Sequence, residues 1–167
     1  MAVKPIVLYP DERLKRVCER VDLPEIADAV TNDLLDTMDA GPPRTVGIAA
    51  PQIGALVRIA IVDTSRNPKY PPAHGLLVMV NPVVRERSGE QVFREGCLSL
   101  PDYTANIRRA ERVVVEALNR DLQPFTIESI GFEAIVIQHE IDHLDGILFL
   151  DRIVDVKTDL FRRKSAG

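Results

Sequence analysis

The segment 130–144 constrains the fold most, because its apolar side chains occupy most of the circumference of a helix. A helix that is apolar almost all round belongs in the interior of a protein, since no face of it is suited to water. Ser129 precedes the segment as a candidate N-cap, and Gly146 follows it, where glycine commonly ends a helix. The sequence therefore predicts a buried central helix in the C-terminal half of the chain.

The rest of the chain predicts shorter elements that can cover this helix. Apolar residues with a period near 3.6 indicate an amphipathic helix over residues 24–38, and start signals indicate a short helix over residues 11–18. Short runs rich in valine, isoleucine and leucine predict strands over residues 57–62, 76–80, 113–118 and 148–150. We expect an α+β fold in a single domain, residues 1–167, with antiparallel strands packed around the central helix.

Three connecting or terminal segments are predicted to be irregular. Residues 63–75 are rich in proline and predict a surface loop, and residues 119–121 predict a turn between two strands. The tail, residues 157–167, is predicted to be a frayed basic helix.

Composition and charge exclude several classes of protein. A hydrophobic content of 46% with 28% charged residues is typical of a chain that buries a core. The net charge of -4 argues against nucleic acid, including specific DNA binding, as the main partner. The sequence contains neither an apolar run near the ~18 residues that span a bilayer nor a signal peptide. We expect a cytoplasmic protein with no membrane partner, whose two cysteines are reduced.

The predicted central helix carries two histidines four residues apart, His139 and His143, with Glu140 between them. Residues with this spacing lie on one face of a helix, so both imidazoles can reach a single divalent metal ion. A carboxylate beside the first histidine can act as a general base toward water. The alternative is a pair of histidines that are merely hydrogen-bonded in the core.

A catalytic metal site needs a third protein ligand. Position 149 is Phe149 rather than histidine, and no glutamate follows Glu140, so two common arrangements are excluded. Cys97 is the better candidate, because a strand-like stretch after Gly96 can present its thiolate at a strand end. The alternative is that Cys97 is merely a small buried apolar residue, which is the usual role of a free cysteine taken alone. The other candidates that remain open are His74, Asp145, Asp151, Asp155 and Asp159.

The third segment of interest, residues 46–52, contains Gly47 and ends in Gln52. Small residues around a glycine let a substrate backbone approach closely, and a glutamine supplies amide donors. The alternative is an ordinary tight strand followed by a turn.

Together these segments resemble the motifs of the peptide deformylase family. That family has a glycine-rich first motif ending in glutamine, a second motif Glu-Gly-Cys-Leu-Ser, and a third motif Gln-His-Glu-x-x-His. They stand here in the same order, as residues 47–52, 95–99 and 138–143. The similarity begins near residues 10–14 and covers nearly the whole chain.

The resemblance implies an enzyme that removes the N-formyl group from the first methionine of nascent polypeptides and releases formate. By motif position, one divalent metal ion per chain would be held by Cys97, His139 and His143. Ferrous iron (Fe2+) is the family's usual ion, with zinc (Zn2+), nickel (Ni2+) or cobalt (Co2+) as substitutes. N-formylmethionyl nascent peptides are the partners this implies.

Further roles follow from the resemblance and from helical spacing. Glu140 would be the general base, and the side chain of Gln52 and the backbone N–H of Leu98 would stabilise the oxyanion. Phe132, Ile135 and Val136 share the face of His139 and would form the pocket for the methionine side chain. The segment Val46–Gly47 would face the substrate backbone.

The sequence departs from the family pattern at two places. Thr45 replaces a usual glycine, and Tyr103-Thr104 stands where bacterial members often have an arginine. Two alternatives therefore stay open: a catalytically idle metal-bound relative that binds ribosomes, and a metallopeptidase. The basic run Arg162-Arg163-Lys164 suggests contact with ribosomal RNA, or simply a solvated tail.

Overall fold

The computed structural model describes residues 2–163 and contains two antiparallel sheets with helices packed against them. The helices are α1 (Pro24–Ala40), α2 (Gly131–Leu144) and the single turn α3 (Val156–Asp159). The strands are β1 (Gly47–Ala49), β2 (Ile59–Val62), β3 (Leu77–Ser88), β4 (Gln91–Cys97), β5 (Leu100–Arg109), β6 (Arg112–Leu118), β7 (Pro124–Ile130) and β8 (Leu160–Arg162). The predicted α+β class with antiparallel strands is confirmed.

The two sheets differ in size and in what they cover. The first has the strand order β1-β2-β3-β6-β7, and the second has the order β4-β5-β8. Helix α2 packs on β1 and β2 of the first sheet. In the second sheet, the three residues of β8 pair with residues in the middle of β5. The C-terminal segment is therefore part of the second sheet.

Helix α2 lies in the interior, as its apolar circumference predicts. Every residue from Glu133 to Leu144 is buried. Ala134 and Ile137 belong to a core cluster that also contains Ala60 and Met79 of the first sheet. Burying one such large apolar side chain contributes about 1.5–3 kcal/mol, so this contact is a main source of stability.

Several predicted elements are found close to their expected positions. Helix α1 ends at Ala40 with Gly41 as its C-cap. Strands β2, β3 and β6 lie at the three runs rich in valine, isoleucine and leucine, although β3 continues well past residue 80. The turn predicted at residues 119–121 joins β6 to β7. The side chain of Asn119 accepts hydrogen bonds from the backbone N–H groups of Asp121 and Gln123 and so closes that turn.

The helix predicted for residues 11–18 is wrong in extent. Only a 3-10 turn forms, at Glu12–Lys15, with Asp11 as its N-cap. The chain then runs extended, because the N–H of Cys18 donates to the carbonyl of Leu144 and the N–H of Glu19 donates to that of Leu56. These tertiary hydrogen bonds replace the ones that a longer helix would have made.

Two predictions near the C-terminus are also wrong. Residues 148–150 do not form a strand, because a 3-10 turn at Phe149–Arg152 begins there and the Asp151 carboxylate accepts a hydrogen bond from the N–H of Leu148. The tail is not a frayed helix in its described part, which forms α3 and then β8. Residues 164–167, including Lys164, lie outside the described residues.

Ser129 does not cap helix α2, contrary to expectation. It is the penultimate residue of β7, and Ile130 occupies the N-cap position without a side-chain hydrogen bond. The Ser129 hydroxyl instead donates to the carboxylate of Glu133, at 2.7 Å. Gly146 follows the helix with a φ of 72°, in the left-handed conformation that glycine favours.

Within residues 2–163, no helix combines the length and apolar character needed to cross a bilayer.

Candidate metal centre and substrate cleft

Three side chains with ligand atoms suited to a metal ion meet where the two sheets approach helix α2. Cys97 is the last residue of β4, and His139 and His143 lie one turn apart on α2. Their ligand atoms all lie within 4.8 Å of one another, and the Cys97 Sγ is 3.4 Å from the His143 Nε2. The spacing of the two histidines and the position of the cysteine at a strand end produce this convergence.

The hairpin between β4 and β5 fixes the cysteine. Gly96 pairs with Thr104, but the next pair is Cys97 with Leu100, so the register shifts and the strand turns sharply at the thiol. The buried Gln52 Nε2 lies 3.5 Å from the Cys97 Sγ and donates to the Ser99 hydroxyl at 3.2 Å. Its side-chain oxygen accepts from the N–H of Ala49, which orients the amide.

A buried network of charges orients the first histidine. The Nδ1 of His139 is 2.8 Å from a carboxylate oxygen of Glu95, so the Nε2 faces the thiol. Arg109 binds the same carboxylate and also the carboxylate of Asp142, at 2.9 and 2.8 Å. Partners of this kind fix the ring orientation of a metal-binding histidine and tune its basicity.

Burial and these contacts shift the pKa values of residues in and beside the network. Burial disfavours the charged form of Glu95, but hydrogen bonds from His139 and Arg109 outweigh it and hold the pKa of the carboxyl below its usual value. Burial lowers the pKa of His143 well below its usual value, with the charges of His139 and Arg109 acting in the same direction. His143 is therefore neutral, the form that binds a metal ion.

Glu140 stands beside this cluster with an unusual environment. Burial raises its pKa to about 7, against the opposing effect of the His139 charge. Its Oε1 is one of the buried side-chain atoms, within residues 2–163, that have no hydrogen-bond partner. This carboxyl group is buried, one of its oxygens has no hydrogen-bond partner, and its pKa is close to neutral pH. Such a group is suited to accept and return a proton.

Gly47 explains how strand β1 approaches the carboxylate. A Cβ on Gly47 would lie 2.7 Å from the Glu140 Oε2 and 3.0 Å from the Cγ1 of Val136. Any larger residue would displace the carboxylate or the strand. The glycine predicted for close approach of a substrate backbone therefore also makes room for the side chain of Glu140.

The cluster opens into a cleft of about 550 Å³. The predicted pocket residues all line it, namely Val46, Gly47, Phe132, Ile135 and Val136, as do Gln52, Cys97, Leu98, His139 and Glu140. Tyr70 from the proline-rich loop stacks on Phe132 with ring centroids 3.7 Å apart, and Phe93 packs against both rings. One end of the cleft is therefore aromatic and apolar.

Comparison with known proteins identifies the family. The family model for polypeptide deformylase matches residues 3–159. The peptide deformylase of Thermodesulfovibrio yellowstonii is 41% identical, over 98% of this chain and 97% of its own length. Peptide deformylase 2 of Vibrio cholerae is 42% identical, over 98% of this chain and 94% of its own length. The chain belongs to the polypeptide deformylase family.

Solved deformylase structures have the same fold. The crystal structure of the Legionella pneumophila peptide deformylase is similar with a TM-score of 0.82 at 41% identity, covering 93% of this chain and 89% of that chain. The Met-Ala-Ser-bound class I type b peptide deformylase of Acinetobacter baumannii has a TM-score of 0.84 at 36% identity, covering 91% and 99%. The resemblance stated from the three motifs is confirmed.

The sequence left five further candidates for the third ligand open, and none of them joins the cluster beside the two histidines. Within residues 2–163, the group of side chains that could hold a metal ion consists of Cys97, His139 and His143. The other candidates point elsewhere, since Asp145 pairs with Arg58, Asp151 with Lys15 and His74 with Glu133, while Asp155 caps α3 and Asp159 ends it.

Some residues of this deformylase site escaped the sequence analysis. In the sequence Glu95 stands out only as part of a motif, and no local signal marks Arg109. Arg109 follows Ala105 and Ile107 at every second position of β5 and shares their buried face. That alternation would have indicated an inward-pointing arginine if β5 had been predicted. Tyr70 carried no signal, because its role depends on how a loop folds back.

Proposed function

We propose that this protein removes the N-formyl group from the first methionine of nascent polypeptides and releases formate. Residues 1–167 would act as one deformylase domain, with Cys97, His139 and His143 holding one divalent metal ion. The observation that carries the proposal is the convergence of these three ligand atoms beside Glu140 in a cleft with one apolar end. Family membership supports the same reaction.

The donor set fits a metal ion of intermediate softness. One thiolate and two imidazoles suit ferrous iron or zinc and leave coordination positions open. We infer Fe2+ as the resident ion from the family, with Zn2+, Ni2+ or Co2+ as substitutes. When bound, the ion supplies Lewis-acid activation of water and of the formyl carbonyl.

Glu140 would move the proton. Its carboxylate takes a proton from the attacking water, whose oxygen forms the new bond to the formyl carbon. When the carbon–nitrogen bond breaks, the same carboxyl group gives that proton to the departing amine, so formate and a free N-terminus result. The unpaired Oε1 and the raised pKa of Glu140 support this role.

Gln52 and Leu98 would stabilise the charge that develops on the formyl oxygen. The Gln52 amide is held by Ala49 and Ser99, so its Nε2 is oriented before substrate binds. Leu98 follows the cysteine ligand and would contribute its backbone N–H. A preorganised donor of this kind contributes about 3 kcal/mol to transition-state stabilisation.

The apolar end of the cleft would take the methionine side chain. Phe132, Ile135 and Val136 supply an apolar surface on the face of α2 that carries His139. Val46 and Gly47 of the facing segment would bind the substrate backbone. Burial of a methionine side chain in such a pocket contributes about 1.5–3 kcal/mol, which favours this first residue over a polar one.

We infer that the protein acts in the cytoplasm, where formylated nascent chains are made. A contact between ribosomal RNA and the basic residues at the C-terminus remains a proposal. Arg162 and Arg163 are exposed, which supports it, and Lys164 lies outside the described residues.

The test is formate release from a formyl-Met-Ala-Ser peptide by protein prepared anaerobically, with metal content measured on the same sample. We expect turnover that is lost in Glu140→Ala at unchanged metal content. Cleavage of an unformylated peptide would instead support a metallopeptidase. Co-sedimentation with ribosomes without any turnover would support an idle binding module.

A further inference from the structure

One wall of the cleft carries two exposed arginines, Arg94 on strand β4 and Arg163 directly after strand β8. This is also the wall that carries Tyr103-Thr104, where bacterial deformylases often have an arginine. The position of both guanidinium groups depends on the C-terminal strand β8, which pairs with β5 opposite Tyr103, Thr104 and Ala105.

The backbone of Arg163 is held at the rim, and its side chain occupies the space above a glycine. Its N–H donates to the carbonyl of Asp102 at 2.7 Å, which prolongs the pairing of β8 with β5. Its guanidinium lies where a Cβ on Gly96 would stand. A side chain at position 96 would displace the guanidinium from this place, and with glycine there it lies directly over the residue that precedes the cysteine ligand.

Arg94 is held by two neighbours on the same wall. Its guanidinium carbon lies 3.8 Å from the centroid of the Phe161 ring, within the range of a cation–π contact. Its Nε donates to the hydroxyl of Thr104 at 2.9 Å. Thr104 and Phe161 are paired residues of β5 and β8, so the C-terminal strand and the departure from the family pattern act together on this arginine.

The charge balance of the cleft is positive at its mouth although the whole chain carries -4. Arg44 lines the cleft as well, and the acidic lining residues are Glu95 and Glu140. Glu95 is neutralised by Arg109, and Glu140 is buried. Within residues 2–163, neither Arg94 nor Arg163 has a carboxylate partner, so both guanidinium groups are available to a ligand.

We propose that Arg94 and Arg163 select substrates, favouring formylated nascent chains with aspartate or glutamate shortly after the first methionine. The inference rests on the proposed deformylase function and adds a substrate class to it. A guanidinium group pairs with a carboxylate through two parallel hydrogen bonds, which gives geometric preference as well as charge attraction. A substrate chain that leaves the metal centre along this wall would bring its next side chains to these groups.

The test compares kcat/KM for three formylated peptides that differ only after Met-Ala, carrying Glu-Glu, Gln-Gln or Lys-Lys. We expect the glutamate peptide to exceed the glutamine peptide by about fivefold, the scale of exposed ion pairs, and the lysine peptide to be slowest. The ratio falls toward one at ~1 M ionic strength, where the Debye length is about 3 Å. In the double variant Arg94→Gln/Arg163→Gln we expect the glutamate preference to disappear, because both guanidinium groups are gone. The ratio is taken within each variant, so a general change in activity does not affect it.

The matched control is Arg85→Gln, which removes an exposed arginine paired with Glu116 on the other sheet. It should keep the full glutamate preference. A glutamate-to-glutamine ratio of one in the unaltered protein, or a ratio that survives the double substitution, overturns the proposal while deformylation itself stands.

Binding of the unformylated products, followed by calorimetry, separates the two proposals. If no formylated peptide is turned over, the deformylase function fails. Tighter binding of Met-Ala-Glu-Glu than of Met-Ala-Gln-Gln would then still support selection of acidic chains by Arg94 and Arg163. Equal binding of the two peptides would exclude that selection.

Discussion

The two walls of the cleft differ in the solvent exposure of their side chains. The wall formed by α2 is buried from Glu133 to Leu144 and supplies both histidines and Glu140. The wall formed by β4, β5 and β8 buries Cys97, Glu95 and Arg109, but its rim is exposed, with Arg94 and Arg163 at the surface. The comparison indicates a division of labour, with chemistry on the buried wall and selection of the substrate chain on the exposed one.

Energetic consequences follow from this difference. A change on the buried wall alters packing, desolvation and charge pairing together, so its effect is large. A change on the exposed wall alters contacts that water screens, so its effect is small. Substitutions on the two walls should therefore differ in the size of their effects.

Glu140→Gln should have the largest effect. The amide keeps the volume but cannot take a proton, so we expect kcat for formate release to fall by about a thousandfold. Metal content and the thermal midpoint should stay close to those of the unaltered protein. A loss below tenfold would show that the buried wall does not supply the base.

Arg109→Met should act on stability and on metal affinity. Removal of the guanidinium leaves Glu95 with only His139 and Asp142 with only Arg152 as partners, which costs about 3 kcal/mol of unfolding free energy, the low end for a broken buried pair. Metal affinity should fall about 10–100-fold, because Glu95 no longer holds His139 as firmly. Denaturant unfolding and metal titration provide the two measurements.

Arg112→Met is the comparison variant for this prediction. Arg112 is more exposed and pairs with Glu86 and Glu128 on the surface of the first sheet. We expect a change of about 1 kcal/mol at most. Equal losses from the two arginines would contradict the contrast between buried and exposed pairs.

Gly47→Ala should reduce activity with little loss of stability. The new Cβ would stand 2.7 Å from the Glu140 Oε2, so the carboxylate must shift, and a displacement near 1 Å costs about a hundredfold in rate. Gly41→Ala is the control, because its Cβ meets only ordinary contacts at 3.5 Å. An unchanged kcat in Gly47→Ala would exclude this role of the glycine.

Thr104→Val should have the smallest effect. Valine keeps the shape of the strand residue but removes the hydroxyl that accepts from Arg94. We expect the preference for the glutamate peptide to fall by about twofold, with activity on the glutamine peptide retained. A larger fall on both peptides would indicate that the exposed wall also supports the chemistry.

The buried wall is the part of the molecule that the sequence predicts best. An apolar circumference, two histidines one turn apart and a following glycine are local signals, and they define α2, its burial and two metal ligands. Cys97 could not be assigned from a local signal, because its approach to the two histidines depends on the hairpin between β4 and β5. Three motifs in the order of a known family supplied that step.

The exposed wall was predicted poorly because its structure is set by long-range pairing. Strand β8 exists because Leu160, Phe161 and Arg162 find partners in the middle of β5, and a three-residue strand has no periodicity of its own. The same reason explains the error at residues 11–18, where backbone bonds to Leu56 and Leu144 replace a helix. Arg109 was missed because strand β5, which directs its side chain into the interior, was not predicted.

The stacking of Tyr70 on Phe132 has a practical consequence for spectroscopy. The chain contains three tyrosines and no tryptophan, so tyrosine dominates its intrinsic fluorescence. Tyr70 lines the cleft, whereas Tyr9 and Tyr103 do not. Emission from this one phenol ring therefore offers a label-free optical signal of cleft occupancy, and Tyr70→Phe would silence it.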